Sequence, residues 1–295
     1  MIAGLELGGT KCVATFAEGR EVIDQRRVPT RDADATVRDL TAILDEWVAA
    51  YGVKAIGVAA FGPIRTDRAA PDFGTFLATP KPGWQGFGLV AHLTARYGLP
   101  VGLDSDVNGA ALAEGRWGGA VGMANHAYVT VGTGVGVGLV VGRRTMAGRA
   151  HSEMGHIFVD RMPGDDVPGT CPFHGTCVEG LISGPALAAR SGVAGEALDE
   201  LHPIWNPFVH VLARLVHTIV LTGAPERVAL GGGVLANRPE LVARVDAAVR
   251  ESLGDYAQAA FAVGAPVLGD QAGPLGALAI ALDVLEGENL EVSGA

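Results

Sequence analysis

The chain has 295 residues, of which 48% are hydrophobic and 18% are charged, so it can bury a large core and is not disordered. Its formal net charge of −10 excludes a basic face for nucleic acid or anionic lipid, although backbone N–H groups can still bind phosphate. Three cysteines are too few for a disulfide framework in a chain of this length. We therefore expect a reduced, cytoplasmic setting.

Strands alternate with helices along the chain, which predicts an α/β architecture of about two domains. The apolar patterns predict strands at 2–7, 11–16, 53–61, 101–103, 127–131, 135–141 and 227–230. They predict helices at 34–50, 89–97, 107–115, 184–190, 208–221, 238–253 and 274–285. The stretch 117–142 lacks acidic and basic residues, but its eight glycines and alternating second half predict a buried hairpin rather than a membrane helix.

Three glycine-rich turns each follow a predicted strand: Gly8-Gly9-Thr10, Gly132-Thr133-Gly134-Val135-Gly136 and Gly231-Gly232-Gly233. Glycine lets several N–H groups converge on an oxyanion, and Lys11 adds a point charge to the first turn. Any one of them alone could be an ordinary hairpin turn. Three together in an alternating α/β chain favour a cradle for nucleotide phosphates.

A short irregular segment carries four residues of the types that bind zinc. Cys171, His174 and Cys177 follow a C-x2-H-x2-C spacing, and His156 could complete a tetrahedral site. Four cysteine and histidine ligands indicate a structural ion rather than an open catalytic one. A loop of free thiols, or a strained disulfide between the two cysteines, is the alternative.

Four acidic residues are candidates for chemistry. Asp104 and Asp106 lie between a predicted strand and a helix, where a carboxylate can face a ligand crevice and act as a general base, or can cap the helix. Spacing does not decide between the two, although Asp104 suits the structural role better. Glu153 and Glu179 flank the proposed zinc loop and could equally be solvated acids.

Taken in order, these motifs resemble those of the ROK family of sugar kinases, and within it the bacterial fructokinase-type members. The resemblance covers nearly the whole chain, and its motifs are 7–11, 79–84, 106–111, 132–136, 151–156, 171–180 and 230–233. The E-x-G-H sequence at 153–156 together with the C-P-F-H-G-T-C loop is the specific part.

The resemblance implies a two-lobed α/β fold of the actin/hexokinase type (ribonuclease H-like), which binds ATP and a sugar between its lobes. It implies a small N-terminal lobe over 1–116, joined by a returning C-terminal helix at 273–286, and a large lobe over 117–272 with the zinc loop at 156–179. The implied activity is ATP-dependent phosphorylation of a hexose, chiefly D-fructose to fructose 6-phosphate, by a homodimer.

The resemblance also assigns roles to residues. Asp106 would be the catalytic base, and Ser105, Asp106, Glu153, His156 and Glu179 would bind the sugar. His156 would bind zinc through one ring nitrogen and sugar through the other, and Mg²⁺ would arrive with ATP. The implied nucleotide-binding residues are Gly8, Gly9, Thr10, Lys11, Gly132, Thr133, Gly134, Pro185, Gly231, Gly232, Gly233 and Val234.

Two residues depart from the broader family. Glu6 stands where many members have Asp, as fructokinase-type chains often do, and Ser105 stands where Asn is usual. The alternatives are a glucose, mannose or N-acetylmannosamine kinase, a non-catalytic sugar sensor, and a zinc-stapled interaction module. Loops at Gly62 and Pro80 would distinguish the sugars.

Overall fold

A computed structural model describes residues 1–79, 81–146, 148, 150–194, 197–236, 238–256 and 260–293, with side chains up to residue 287. Pro80, which the sequence proposes as part of a specificity loop, lies outside these residues. The described chain divides into two compact units. The first unit comprises Met1–Arg116, Thr145–His151 and Asp270–Ala295, and the second comprises Trp117–Arg144 and Ser152–Gly269. The sequence-based boundary at residue 116 therefore differs for the short segment Thr145–His151, which packs with the first unit.

Ten strands and eight helices are present in the described part of the chain. The strands are β1 (Ile2–Leu7), β2 (Lys11–Glu18), β3 (Glu21–Pro29), β4 (Ile56–Ala60), β5 (Val101–Ser105), β6 (His126–Val131), β7 (Val135–Val141), β8 (Arg144–Thr145), β9 (Arg227–Gly231) and β10 (Ala262–Gly264). The helices are α1 (Ala33–Tyr51), α2 (Leu89–Tyr97), α3 (Asp106–Trp117), α4 (Val178–Ile182), α5 (Gly184–Ser191), α6 (Trp205–Gly223), α7 (Pro239–Leu253) and α8 (Ala272–Ser293).

The first unit contains a five-stranded sheet in the order β3-β2-β1-β4-β5. β1 pairs antiparallel with β2 and parallel with β4, and β4 pairs parallel with β5. α1 begins where the Asp32 side chain accepts a hydrogen bond from the Ala35 N–H, and it ends at Gly52 with a φ of 63°. The helix predicted at 34–50 is therefore confirmed, and its apolar residues Val37, Leu40 and Leu44 are buried in the core of this unit.

α8 packs directly on the backbone of this sheet because three neighbouring strands place a glycine beneath it. The register aligns Gly4 with Gly57 and Gly57 with Gly102. A Cβ on Gly57 would lie 2.0 Å from the Ala277 carbonyl oxygen. Only glycine permits such an approach, so this stripe seats the last helix on the first unit.

The second unit has its own five-stranded sheet, in the order β10-β9-β6-β7-β8, with β6 and β7 forming an antiparallel hairpin. The prediction of a buried hairpin within 117–142 is therefore confirmed. α6 supplies much of the core, including fully buried Trp205 and Phe208. Among the described residues, no helix is long and apolar enough to cross a membrane.

Three strands escape the sequence patterns. β3 is an edge strand with four charged residues among nine, all exposed or half-buried, and β8 and β10 contain only two and three residues. Neither an exposed edge nor so short a strand leaves an apolar alternation to detect. α3 begins at Asp106 itself rather than after it.

Candidate functional site

Four ligand-type side chains of the second unit meet at one point. A nitrogen or sulfur atom from each of His156, Cys171, His174 and Cys177 lies within 4.8 Å of those of the other three. Cys171 and Cys177 are buried, whereas the His174 ring is exposed. The structure thus brings together the four residues that the sequence proposed as a zinc site.

The separations fit a tetrahedral ion. The His156 Nδ1 atom lies 3.7 Å from Cys171 Sγ, 3.5 Å from Cys177 Sγ and 3.2 Å from His174 Nδ1. Cys171 Sγ lies 3.8 Å from His174 Nδ1. Usual zinc bond lengths in a tetrahedron place ligand atoms about 3.3 to 3.8 Å apart. The donor set and these four separations therefore fit Zn²⁺.

A bound cation would have to displace the proton of a buried thiol. Burial raises the pKa of Cys177 to about 11, so its thiol is protonated at neutral pH in the protein alone. A divalent metal stabilises the thiolate and so lowers the pKa of the thiol that binds it. No disulfide joins the two loop cysteines, which are free thiols. The disulfide alternative is wrong for this structure.

His156 faces two ways. Its Nδ1 points to the two thiols and His174, while its Nε2 lies 3.9 Å from Glu179 Oε1. Both side chains keep about a quarter of their surface exposed. Glu179 is also held, because its Oε2 accepts a hydrogen bond of 3.1 Å from the Val135 N–H. The imidazole can therefore bind a metal on one side and present an N–H beside a carboxylate on the other.

Two glycines allow the backbone segments around the Cys/His cluster to pack closely. A Cβ on Gly155 would lie 1.8 Å from the Val135 carbonyl oxygen, so the 3-10 turn Met154–His156 packs against β7. A Cβ on Gly180 would lie 1.9 Å from the Gly175 carbonyl oxygen. Cys177 caps α4, its Sγ accepting from the Gly180 N–H at 3.5 Å. Glu153 precedes the 3-10 turn, and its side chain is exposed.

The remaining turns of the second unit converge at the ends of β6 and β9. Gly184 donates its N–H to the Gly132 carbonyl at 2.7 Å, and Val234 donates to Val131 at 3.0 Å. Gly232 has a φ of 91°, which disfavours any side chain there. Thr133, Gly233 and Pro185 are exposed at this edge. The structure thus gathers the predicted nucleotide-binding turns of this unit.

The first unit carries the third turn, between β1 and β2. The Gly8 N–H donates to the Lys11 carbonyl at 3.0 Å. The hydroxyl of Thr30, the residue after β3, donates to the Gly8 carbonyl at 2.7 Å and lies 3.3 Å from Cys12 Sγ. Gly9, Thr10 and Lys11 are exposed. Thr30 therefore stabilises the base of the turn, whereas the residues at its tip are exposed and accessible to a ligand.

Asp104 and Asp106 differ sharply in their surroundings. Asp104 accepts hydrogen bonds from Asn108 Nδ2 at 2.7 Å and from the Thr145 hydroxyl at 2.8 Å. Asp106 is the first residue of α3, and its Oδ1 accepts from the Val107 N–H at 2.8 Å. Ser105 is 2% exposed, and its hydroxyl accepts from the Asn108 N–H as a cap of α3. Two side chains therefore hold the Asp104 carboxylate, and both aspartates are half-buried.

Glu6 is a buried carboxyl of this unit. Burial, followed by repulsion from Asp106, raises the pKa of Glu6 from 4.5 to about 7. Its Oε1 would lie 2.1 Å from a Cβ on Gly273, so the carboxyl lies against the start of α8. Sequence alone detects the residue but not this burial, which depends on a helix 267 positions away.

The sequence and the fold of this chain match those of known proteins. The sequence profile of the ROK family matches residues 2–284 of this chain. The chain belongs to the ROK family. A fructokinase of Zymomonas mobilis is 38% identical over 94% of this chain and 95% of its own. The ROK hexokinase from Thermus thermophilus superposes with a TM-score of 0.79 at 29% identity, covering 97% of this chain and 99% of that one.

A ROK glucokinase from Streptomyces griseus, solved with glucose and AMPPNP, superposes with a TM-score of 0.76 at 25% identity, covering 96% and 99% of the two chains. The predicted fold class is therefore confirmed for this ROK chain, as are its family and its activity as a sugar kinase, a phosphotransferase. The assignments of single site residues stay predictions.

Proposed function

We propose that this ROK kinase transfers the terminal phosphoryl group of ATP to D-fructose, giving fructose 6-phosphate. The observation that carries the proposal is the two-sided His156, which joins the Cys/His cluster through Nδ1 and lies beside Glu179 through Nε2. A histidine held in this way offers a fixed N–H donor to a sugar hydroxyl. The fructokinase relative supports the choice of fructose.

In this proposal, sugar hydroxyls bind to three side chains of the second unit: Glu153, His156 and Glu179. The Glu179 carboxylate accepts from a hydroxyl while the Val135 N–H keeps it in place. His156, Cys171, His174 and Cys177 would hold Zn²⁺, which, when bound, orders the loop and fixes the tautomer of His156. Ser105 stays a weaker candidate because its hydroxyl caps α3.

Asp106 is the proposed general base. Its side chain lies at the N-terminal end of α3, where Oδ1 accepts a hydrogen bond of 2.8 Å from the Val107 N–H. An ionised carboxylate can accept the proton of the attacking hydroxyl. Asp104 is a poorer candidate, because Asn108 and Thr145 already occupy both of its oxygens.

The glycine turns are the proposed nucleotide contacts. The turns Gly8 to Lys11 and Gly132 to Gly134 would face the phosphates with the N–H groups of their tips, because the Gly8 and Gly132 N–H groups already donate within the turns. The Lys11 ammonium would add a positive charge. Pro185 and Gly231 to Val234 would line the adenine ring of the nucleotide. Mg²⁺, bound with ATP, would neutralise charge on the phosphates.

A coupled assay of ADP release across fructose, glucose, mannose and N-acetylmannosamine tests the substrate. We expect the highest kcat/KM for fructose. A preference for another of these sugars would reject fructose but keep a hexose kinase, whereas sugar binding without turnover by protein that holds zinc would indicate a sensor.

Substitution of Asp106 tests the base. We expect Asp106→Asn to lower kcat by about 10²- to 10⁴-fold while leaving fructose affinity within about threefold, since the amide keeps the shape but accepts no proton. Asp104→Asn is the matched control and should lower stability more than kcat. Near-normal kcat in Asp106→Asn, with a large loss in Asp104→Asn, would reassign the base to Asp104.

A further inference from the structure

Lysine is rare in this chain. Of 22 lysine and arginine residues only three are lysines, namely Lys11, Lys54 and Lys81. Arginine supplies the surface ion pairs of the described residues, such as those of Arg96 with Asp45 and Arg250 with Asp246. Two of the three lysines nevertheless come to the same glycine turn of the first unit.

Lys81 reaches that turn from a distant loop. Its ammonium donates a hydrogen bond to the Gly9 carbonyl and lies 5.3 Å from the centre of the Phe61 ring. A Cβ on Gly9 would lie 3.5 Å from Lys81 Nζ. The ammonium therefore lies directly beside the turn tip, in contact with backbone that the proposed function assigns to phosphate.

The loop that carries Lys81 is anchored on both sides. The Lys81 N–H donates to the Thr79 hydroxyl at 3.4 Å, and the Trp84 N–H donates to the Lys81 carbonyl at 3.4 Å. Trp84 is fully buried, its ring 5.0 Å from that of Phe61, and its indole N–H donates to the Arg31 carbonyl at 2.7 Å. The aromatic cluster fixes the base of a flexible side chain, so the ammonium needs little reordering to bind a ligand.

Charge around the turn is unbalanced. Among the described residues, no carboxylate oxygen lies within 4.0 Å of the ammonium of Lys11 or Lys81. Lys11 interacts electrostatically with Glu6, but neither lysine of the turn forms an ion pair in the described residues. Two such ammonium groups, beside backbone N–H groups in a chain of net charge −10, indicate a negatively charged ligand. A Lys ammonium is a compact point charge with three rotatable donors, which suits a phosphate oxygen.

We propose that Lys81 is a substrate-binding residue for the phosphoryl group in transfer, acting with Lys11 on its oxygens. This inference rests on the proposed kinase function and extends it to a residue outside the glycine turns. The ligand chemistry is a terminal phosphate, carried either by the nucleotide or by the phosphorylated sugar. One donor of the ammonium stays on the Gly9 carbonyl, and the others reach the phosphate.

Calorimetry on the full chain tests the proposal, with the magnesium complexes of AMPPNP and ADP and with fructose 6-phosphate as probes. We expect Lys81→Gln to weaken AMPPNP or fructose 6-phosphate about 10- to 100-fold, in the range of lost charge-assisted hydrogen bonds. ADP, which lacks the terminal phosphate, should change by less than about threefold. Loss confined to AMPPNP assigns the nucleotide source, and loss confined to fructose 6-phosphate assigns the sugar source.

Two variants control for structure. Lys54→Gln removes the same charge at an exposed site and should leave all three affinities within about twofold. Lys81→Arg keeps the charge and should restore part of the affinity. Unchanged affinities in Lys81→Gln, or equal weakening of AMPPNP and ADP, would overturn the role of Lys81.

The failure of the proposed function gives a different pattern. Wild-type protein that phosphorylates no hexose but binds AMPPNP more tightly than Lys81→Gln rejects the kinase activity and keeps the phosphate site. A wild-type kinase whose kcat/KM for ATP is unaffected by Lys81→Gln rejects the site alone. Wild-type protein that binds no AMPPNP rejects both.

Discussion

Replacing Glu6 by glutamine should make the stability of the protein less sensitive to pH. The Glu6 carboxyl lies in β1 against Gly273, where burial and then the charge of Asp106 raise its pKa from 4.5 to about 7. Glutamine keeps the shape and removes the titration. The comparison therefore isolates what it costs to ionise this one carboxyl inside the fold.

The sign follows from the two pKa values. Between pH 4.5 and 7 the unfolded chain releases the proton of Glu6 while the folded chain retains it, so the free energy of unfolding falls as pH rises. Stability from this group is complete below about pH 4.5, is lost up to about pH 7, and is constant above. At about 1.4 kcal/mol per pKa unit, Glu6→Gln should gain about 2 to 3 kcal/mol over wild type between pH 5 and pH 8.

Urea unfolding at pH 5, 6, 7 and 8 without nucleotide, followed by tryptophan fluorescence, measures this difference. Glu18→Gln is the matched control, because Glu18 is exposed at the end of β2 and should show no such trend. A difference between Glu6→Gln and wild type that stays constant within about 0.5 kcal/mol from pH 5 to 8 would refute the proposed burial cost.

Two further predictions concern the metal cluster and the seat of α8. Cys177→Ser should abolish tight zinc binding, measured by elemental analysis, and weaken fructose affinity, measured by calorimetry. Cys12→Ser, in the other unit, is the control and should keep the metal. Full zinc content in Cys177→Ser would contradict the ligand set. Gly57→Ala should lower the free energy of unfolding by about 3 kcal/mol, because its Cβ would lie 2.0 Å from the Ala277 carbonyl oxygen and backbone must move. Gly88→Ala, where the nearest atom would be 3.6 Å away, should change it by less than about 1 kcal/mol, and equal losses in both would show that α8 is not seated as described.

Local sequence patterns predicted the features that depend on residues close together in the chain. The spacing of Cys171, His174 and Cys177 predicts a metal loop because a short loop can place all three around one ion. The alternation within 117–142 predicts the β6–β7 hairpin because successive side chains in a strand face opposite sides. Strand–turn–helix order likewise predicts the α/β class and the positions of the glycine turns.

Only the tertiary structure shows the hydrogen-bond partners and pKa shifts that arise from contacts between residues distant in sequence. Spacing does not decide between Asp104 and Asp106, and the hydrogen bond of the Thr145 hydroxyl, 41 positions away, to Asp104 is visible only in the fold. Lys81 reaches Gly9 over 72 positions, and the raised pKa of Glu6 depends on the packing of α8. A sequence pattern records which groups are present, but desolvation and hydrogen bonding are set by the partners that folding brings within a few ångströms.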